Sequence, residues 1–408
     1  MRTIRWFGFA IVGAAVGCNG GSTTTPQPAP APTPSGPSSS GQPGSPPASM
    51  MFDALMAEAQ GHVAIEGNVT QENIVADQAG QARTQDPHLL NAWGLAFNPT
   101  AGFAWVSANG NGTSQVYDDS DPNMTKIPLE VTIPPPAGGM PPSAPTGQVF
   151  NRAASSAFMG DLFIFASEDG TITAWQPSDG TNAVIRVDNS TGNAIYKGVA
   201  IAMPLTALGR SQLYGADFHN NKIAVWDDQY MPVTTLGGFT DPNLPAGFAP
   251  FNVYGLGPLV LVTYAKQDDK AEDDVKGAGN GFVDLYSAEG FFLQRLISGG
   301  QLNSPWGLVF APDKDPMAVD LAVGNFGDGM INIYNLSLNT KALRIDAVWE
   351  GALGNAATGK PLVIDGLWAL AFGSGKAGFE ADEIYFTAGP NDEANGLFGS
   401  LDFTGPRQ

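Results

Sequence analysis

Carboxylates and amides are the side chains whose spacing suits chemistry in this sequence. Asp328, Asp365, Asp392 and Glu393 fall within the last 81 residues of 408, each in or beside a turn rich in Gly. Four carboxylates brought together repel one another and need raised pKa values, Lys or Arg partners, or a cation. The stretches 324–330 and 365–370 contain no Lys or Arg. A hard cation such as Ca²⁺, which takes about six to eight oxygens, is the expected remedy. Glu168, His219, Asn325 and Asn391 are further binding candidates in comparable loops. Asn and Asp are also turn formers that bond their own backbone, and that reading stays open for the whole set. The three His exclude a His-rich metal centre, and the single Cys, Cys18, excludes an internal disulfide or a zinc ribbon. Gly-x-Ser-x-Gly, Walker A and His-Glu-x-x-His motifs are missing.

The elements that must position these residues form a repeat. An Asn/Asp/Gly turn followed by an alternating strand begins at Asn111, Asp169, Asn220, Asn280, Asp328 and Asn395. Asn-Gly and Asp-Gly are favoured hairpin turns because both central residues need positive φ. The spacings are 58, 51, 60, 48 and 67 residues, the size of a propeller blade. A strand precedes each turn, and an apolar segment precedes that strand. Three of those segments (Trp93–Phe97, Trp306–Phe310 and Trp368–Phe372) share a Trp-Gly/Ala-Leu-x-Phe core. Outer strands are expected at 126–133, 183–187, 232–236, 291–297 and 343–348. The sixth unit has no chain left for one, while 68–76 (NVTQENIVA) has no other partner. The fold expected is therefore all-β, a six-bladed β-propeller closed by an N-terminal strand. Loops leaving the second strand and loops entering the first share one face of such a ring, which is where the candidates fall. The longest of them, 266–280, alternates five acids with three Lys and reads as a lid, a binding loop or a solvated surface loop.

Composition and the N-terminus bound the setting. Net charge is −20, which disfavours nucleic-acid partners. Residues 1–17 carry Arg2 and Arg5 before a short apolar run, the pattern of a signal peptide. Ala15-Val16-Gly17-Cys18 resembles a bacterial lipobox, with Ala15 in place of the usual Leu. Residues 18–49 are a Pro/Ser/Gly-rich tether, 50–67 a short helix or linker, and 68–408 the propeller.

Several stretches carry a family resemblance. They include Asn91-Ala-Trp-Gly-Leu-Ala-Phe-Asn-Pro99, Val262-Thr-Tyr-Ala-Lys-Gln267, Ser304-Pro-Trp-Gly-Leu308, Gly324-Asn-Phe-Gly-Asp-Gly329, Ile364-Asp-Gly-Leu-Trp-Ala369 and Thr387-Ala-Gly-Pro-Asn-Asp-Glu393. Over roughly residues 69–403 the chain resembles an uncharacterised family of exported bacterial proteins, many ending in a PEP-CTERM sorting tail that is missing here. The resemblance implies a secreted propeller and brings no activity. A looser likeness joins it to NHL and gluconolactonase-like propellers, a matter of fold alone.

Two functions fit. One is an exported, membrane-tethered binding or scaffold propeller, monomeric, taking a small molecule, glycan or protein at the cell surface or in the periplasm. The other is a metal-dependent hydrolase or lactonase that holds Ca²⁺ at the channel mouth and polarises a carbonyl. The tether yields a direct prediction: Cys18→Ser expressed in a bacterium should move the protein from the membrane to the soluble fraction. Unchanged fractionation, with no fatty acid on the parent chain, would contradict lipidation.

Overall fold

The structure, a computed structural model, describes residues 46–403 apart from 66, 122–124 and 208. The expected signal segment, Cys18 and most of the tether lie outside the described residues. Six antiparallel sheets are arranged as blades around a channel, and each inner strand packs beside the next. The inner strands are Ala92–Phe97, Pro145–Phe150, Tyr196–Ala202, Phe248–Leu256, Pro305–Pro312 and Leu367–Phe372. The Asn/Gly and Asp/Gly turns all lie between second and third strands, but none has two successive left-handed residues: Gly112, Gly170, Asn221 and Gly329 are left-handed singly, and the turns at 280–281 and 395–396 have no left-handed residue.

Strand Asn68–Ala76 pairs antiparallel with Leu397–Asp402, from Thr70 opposite Asp402 to Ala76 opposite Leu397. The sixth sheet is thus built from both ends of the described chain. The third blade differs from expectation. It has three strands, and the segment 232–236 makes only a single bridge, Trp226 to Pro232. The chain then turns away to the fourth blade, where Gly237 N donates to Glu289 O and Phe239 N to Gly290 O, both at 2.9 Å, so the ladder does not extend.

The innermost strands share one irregularity. Each carries a β-bulge at the same level, and the extra residue is Trp93, Thr146, Lys197, Phe251, Trp306 or Trp368. A bulge bends the strand and re-aims its side chain. Carbonyls at or beside the bulges are capped from other blades. Thr387 Oγ1 donates to Trp93 O, Thr146 Oγ1 to Tyr196 O at 2.7 Å, Trp306 Nε1 to Lys197 O at 3.0 Å and Asn252 Nδ2 to Trp306 O at 2.8 Å.

Helix α1, Ala48–Ala59, is more than a linker. Met51, Phe52 and Leu55 are buried in a cluster with Leu256, Leu259, Phe310, Leu321 and Ile345 at the ends of the fourth and fifth blades. Burying each such side chain contributes roughly 1.5–3 kcal/mol. Leu55→Ala should therefore lower stability by about 2–5 kcal/mol in chemical denaturation. Truncation through Gly67 removes α1 and should lower stability, whereas truncation through Ala76 also bares the Leu397–Asp402 edge and should add aggregation. Equal behaviour of the two truncations would deny the N-terminal strand its role.

Candidate functional site

The six bulge residues meet in the channel. Trp93 and Trp368 stack with centroids 3.5 Å apart, and Trp306 meets both edge-on. Phe326 stacks on Trp368 at 3.8 Å, and Phe251 packs against the same indole. All three indoles are buried, so they form a plug across the channel. Lys197 occupies, in the third blade, the place that is aromatic in four others. Its ammonium lies 5.4 Å from the Trp93 ring centroid and 5.8 Å from that of Phe218.

A chain of polar contacts runs over the plug on the loop face. Glu393 Oε2 accepts from Asn91 Nδ2 at 2.7 Å, and the same nitrogen reaches Asn109 Oδ1 at 3.3 Å. Asn109 Nδ2 donates to Glu168 Oε2 at 3.1 Å, and Glu168 Oε1 takes the Lys197 ammonium. Lys197 also reaches Asp273 Oδ1 at 3.1 Å. The chain links the sixth, first, second, third and fourth blades. Asn91 Oδ1 accepts from Trp368 Nε1 at 3.0 Å, tying the chain to the plug.

Asp273 belongs to the acidic loop 266–280, which laps over this mouth. Gln267 Nε2 donates to Phe218 O at 2.6 Å, His219 Nδ1 lies 3.2 Å from Ala271 O, and the Lys276 ammonium sits 4.3 Å from the Phe326 ring centroid. Lys197 is buried beneath Asp273, whose side chain is 74% exposed. Burial pulls the Lys197 pKa down, but the carboxylates of Glu168 and Asp273 outweigh it and leave the amine above its ordinary value. Lys197 is therefore a fixed cation and no nucleophile at neutral pH.

Glu393 is held at a strained place. Asn391, Asp392 and Glu393 have φ of 59°, 54° and 64°, three successive non-Gly residues in the left-handed region. Each costs roughly 1–2 kcal/mol. Gly389 must be Gly, because a Cβ there would collide with Asn91 Oδ1. Burial and the nearby Glu168 push the Glu393 carboxyl up to about 7, against the opposing pull of Lys197 and the Asn91 hydrogen bond.

Of the sequence-predicted residues, Glu168 and Glu393 join this chain, and the rest do not. Asp328 Oδ1 accepts from Met330 N and its Oδ2 from Asn303 Nδ2, both at 3.1 Å. Asp365 Oδ2 accepts from Asn391 N at 2.7 Å, and Asn391 Nδ2 donates to Asn395 Oδ1 at 3.3 Å. Asn325 is buried and structural: its Nδ2 donates to Gln301 O at 2.8 Å and its Oδ1 accepts from Asn303 N at 3.1 Å. Asp392 is exposed, and His219 packs under the acidic loop. The expected Ca²⁺ ligands Asp328, Asp365, Asp392 and Glu393 thus do not converge. Their own turns occupy two of them, and Glu393 has Lys197 as counter-charge from a distant blade. Among the described residues the group of carboxylates within 4.8 Å is Asp313, Asp320 and Glu350, in the fifth blade away from that mouth. Lys197 escaped sequence reasoning. Aligning the six inner strands at their bulges, where Lys replaces Trp or Phe, is the signal that finds it.

Below the plug the channel widens into a chamber of about 880 Å³. Its walls are the later halves of all six inner strands, with buried Leu95 and half-buried Val149, Ile201, Tyr254 and Phe372. Trp306 lines the plug end. Glu58 and His62 line the far end, where the His62 ring stacks on Phe372 at 4.0 Å and Glu58 Oε1 accepts from Tyr254 OH at 2.7 Å. Burial lowers the His62 pKa against opposing pulls from Ala381 O and Glu58. The chamber therefore opens on the α1 face, opposite the expected mouth.

Fold and channel define a six-bladed β-propeller with a plugged, one-sided chamber. The chain belongs to a family with two proteins of Acanthamoeba polyphaga mimivirus, both uncharacterised. Protein L690 is 30% identical over 332 residues, 78% of this chain and 81% of the relative. Protein R648 is 29% identical over 342 residues, 80% and 78% of the two chains. No family model matches. Among solved structures, a luciferin-regenerating enzyme aligns with TM-score 0.45 and 12% identity, over 83% of this chain and 96% of that one. Hydrazine synthase of Kuenenia stuttgartiensis aligns with TM-score 0.44 and 11% identity, over 74% of each chain.

The raised Glu393 pKa sets a pH test. The folded state binds this proton more tightly than the unfolded chain, so the group loses stability as pH rises from its ordinary 4.5 through about 7. Glu393→Gln should stabilise the protein at pH 8 by up to about 3 kcal/mol and change little at pH 4. A gain independent of pH would contradict the burial of this carboxyl.

Proposed function

We propose that the protein is an exported binding propeller, held to a membrane through Cys18, that takes a small ligand into the chamber beneath the aromatic plug. The chamber carries this reading. Its volume falls within the range of about 300–1,000 Å³ typical of ligand pockets, and its walls mix half-buried apolar side chains with strand backbone. The signal-like start, the lone Cys, the tether and the resemblance to exported bacterial propellers support export and anchoring. No helix among the described residues is long and apolar enough to cross a membrane. The hydrolase reading has lost its support, because the loop-face carboxylates do not gather around one cation position.

The chamber is tested by dye binding to protein carrying Cys18→Ser. 1-Anilinonaphthalene-8-sulfonate should brighten in its presence. Ile201→Trp, which fills the chamber, should weaken that binding about tenfold or more without lowering the melting temperature by more than a few degrees. Undiminished binding by the filled variant would defeat the reading.

A further inference from the structure

The α1 face differs from the loop face in what its tips expose. Met159, Met203, Leu205 and Met317 sit between inner and second strands, and Met231 and Leu343 follow third strands. All of these connections lie at the chamber end, because antiparallel blades place both kinds of turn there. Each of the six side chains is 47–62% exposed. Met50, in α1, adds a seventh at 43%. The loop face exposes only Met140, Val275 and Val363 among the large apolar residues described. Single exposed apolar residues need no explanation, but a face that collects seven of the thirteen does.

Two further observations say what covers this face. The described chain enters the body here, since α1 supplies Glu58 to the far wall of the chamber and 45 residues precede the first described one. An anchor at the N-terminus therefore connects to the body at this face. The chamber also opens here, with Met203 in its lining. Arg152 stands at the same opening, exposed, and makes no ion pair among the described residues.

We infer that the α1 face is a docking surface for a lipid bilayer, with the Met and Leu tips entering the interfacial layer around the chamber opening. Unbranched Met suits such a surface, because its flexible, polarizable side chain adapts to an irregular apolar partner. The tips are short and scattered around a ring, so they rest in the interface and do not span it. A net charge of −20 sets the preference for zwitterionic over anionic lipid. The inference shares its face with the proposed chamber but does not require the chamber to be occupied.

The single Cys makes the test direct. In a Cys18→Ser background, which removes the acyl anchor, one new Cys is placed at Leu205→Cys, Met317→Cys or, on the opposite face, Met140→Cys. Each is labelled with an environment-sensitive fluorophore. All three positions are 58–79% exposed, so labelling leaves the fold intact. With phosphatidylcholine vesicles, labels at 205 and 317 should shift to the blue and become shielded from an aqueous quencher, and the label at 140 should not. Met203→Glu with Leu205→Glu should weaken vesicle binding read at 317 by about tenfold or more. Equal response at 140, or none at any site, overturns the inference. So does a blue shift at 205 that grows with protein concentration without vesicles, because a second copy would then be the partner. A lipid response together with dye binding unaffected by Ile201→Trp would keep the docking face and remove only the chamber.

Discussion

The close approach of six bulged inner strands is the constraint on which the rest of the structure depends. At or just after each bulge comes a residue with little or no side chain in five blades: Gly94, Gly147, Gly198, Gly307 or Ala369. A Cβ on Gly147 would lie 2.9 Å from the Cα of Gly198, and one on Gly307 would lie 2.7 Å from the Trp368 carbonyl oxygen. The fourth blade answers with Asn252, whose side chain caps the Trp306 carbonyl. Without those missing side chains the strands cannot come near enough for one blade to cap the bulge carbonyls of another. An uncapped buried carbonyl costs about 1–3 kcal/mol.

The same ring decides where the molecule is open. Bulges turn five apolar or hydroxyl side chains and one ammonium into the channel, and the aromatic ones fill it. Burying Lys197 there requires counter-charges, which Glu168 and Asp273 provide. The acidic loop is thereby drawn across the loop face. At what the sequence presents as a mouth crowded with acids, Glu168, Asp273 and Glu393 are paired across blades. The space left over lies on the α1 side, where small residues such as Ala96, Ala200 and Ala371 leave the channel wide.

Local signals made the repeat legible. The Asn-Gly and Asp-Gly pairs marked the third strands because turn-forming residues recur there at blade-sized intervals, although no pair takes the two successive positive φ angles of a tight hairpin. The strand at Asn68–Ala76 could be read because the sixth unit ran out of chain before its outer strand. Non-local pairing was not legible. The partner of Glu393 is not in its own blade, and Lys197 lies 196 residues away in the sequence. The absence of Lys and Arg near the carboxylates therefore misled. Helix α1 was underread for a similar reason: its apolar stripe is short, and the groove that receives it comes from the fourth and fifth blades.

The central claim is that the aromatic ring divides the channel and leaves one usable chamber, on the α1 face. The most direct measurement is a crystal structure of the protein soaked with an iodinated aromatic amphiphile such as 4-iodobenzoate, located by its anomalous scattering. The account predicts iodine between Trp306 and His62, bounded by Leu95, Val149, Ile201 and Phe372. Iodine bound instead above the plug, among Asn91, Glu168 and Glu393, with the chamber empty, would contradict it.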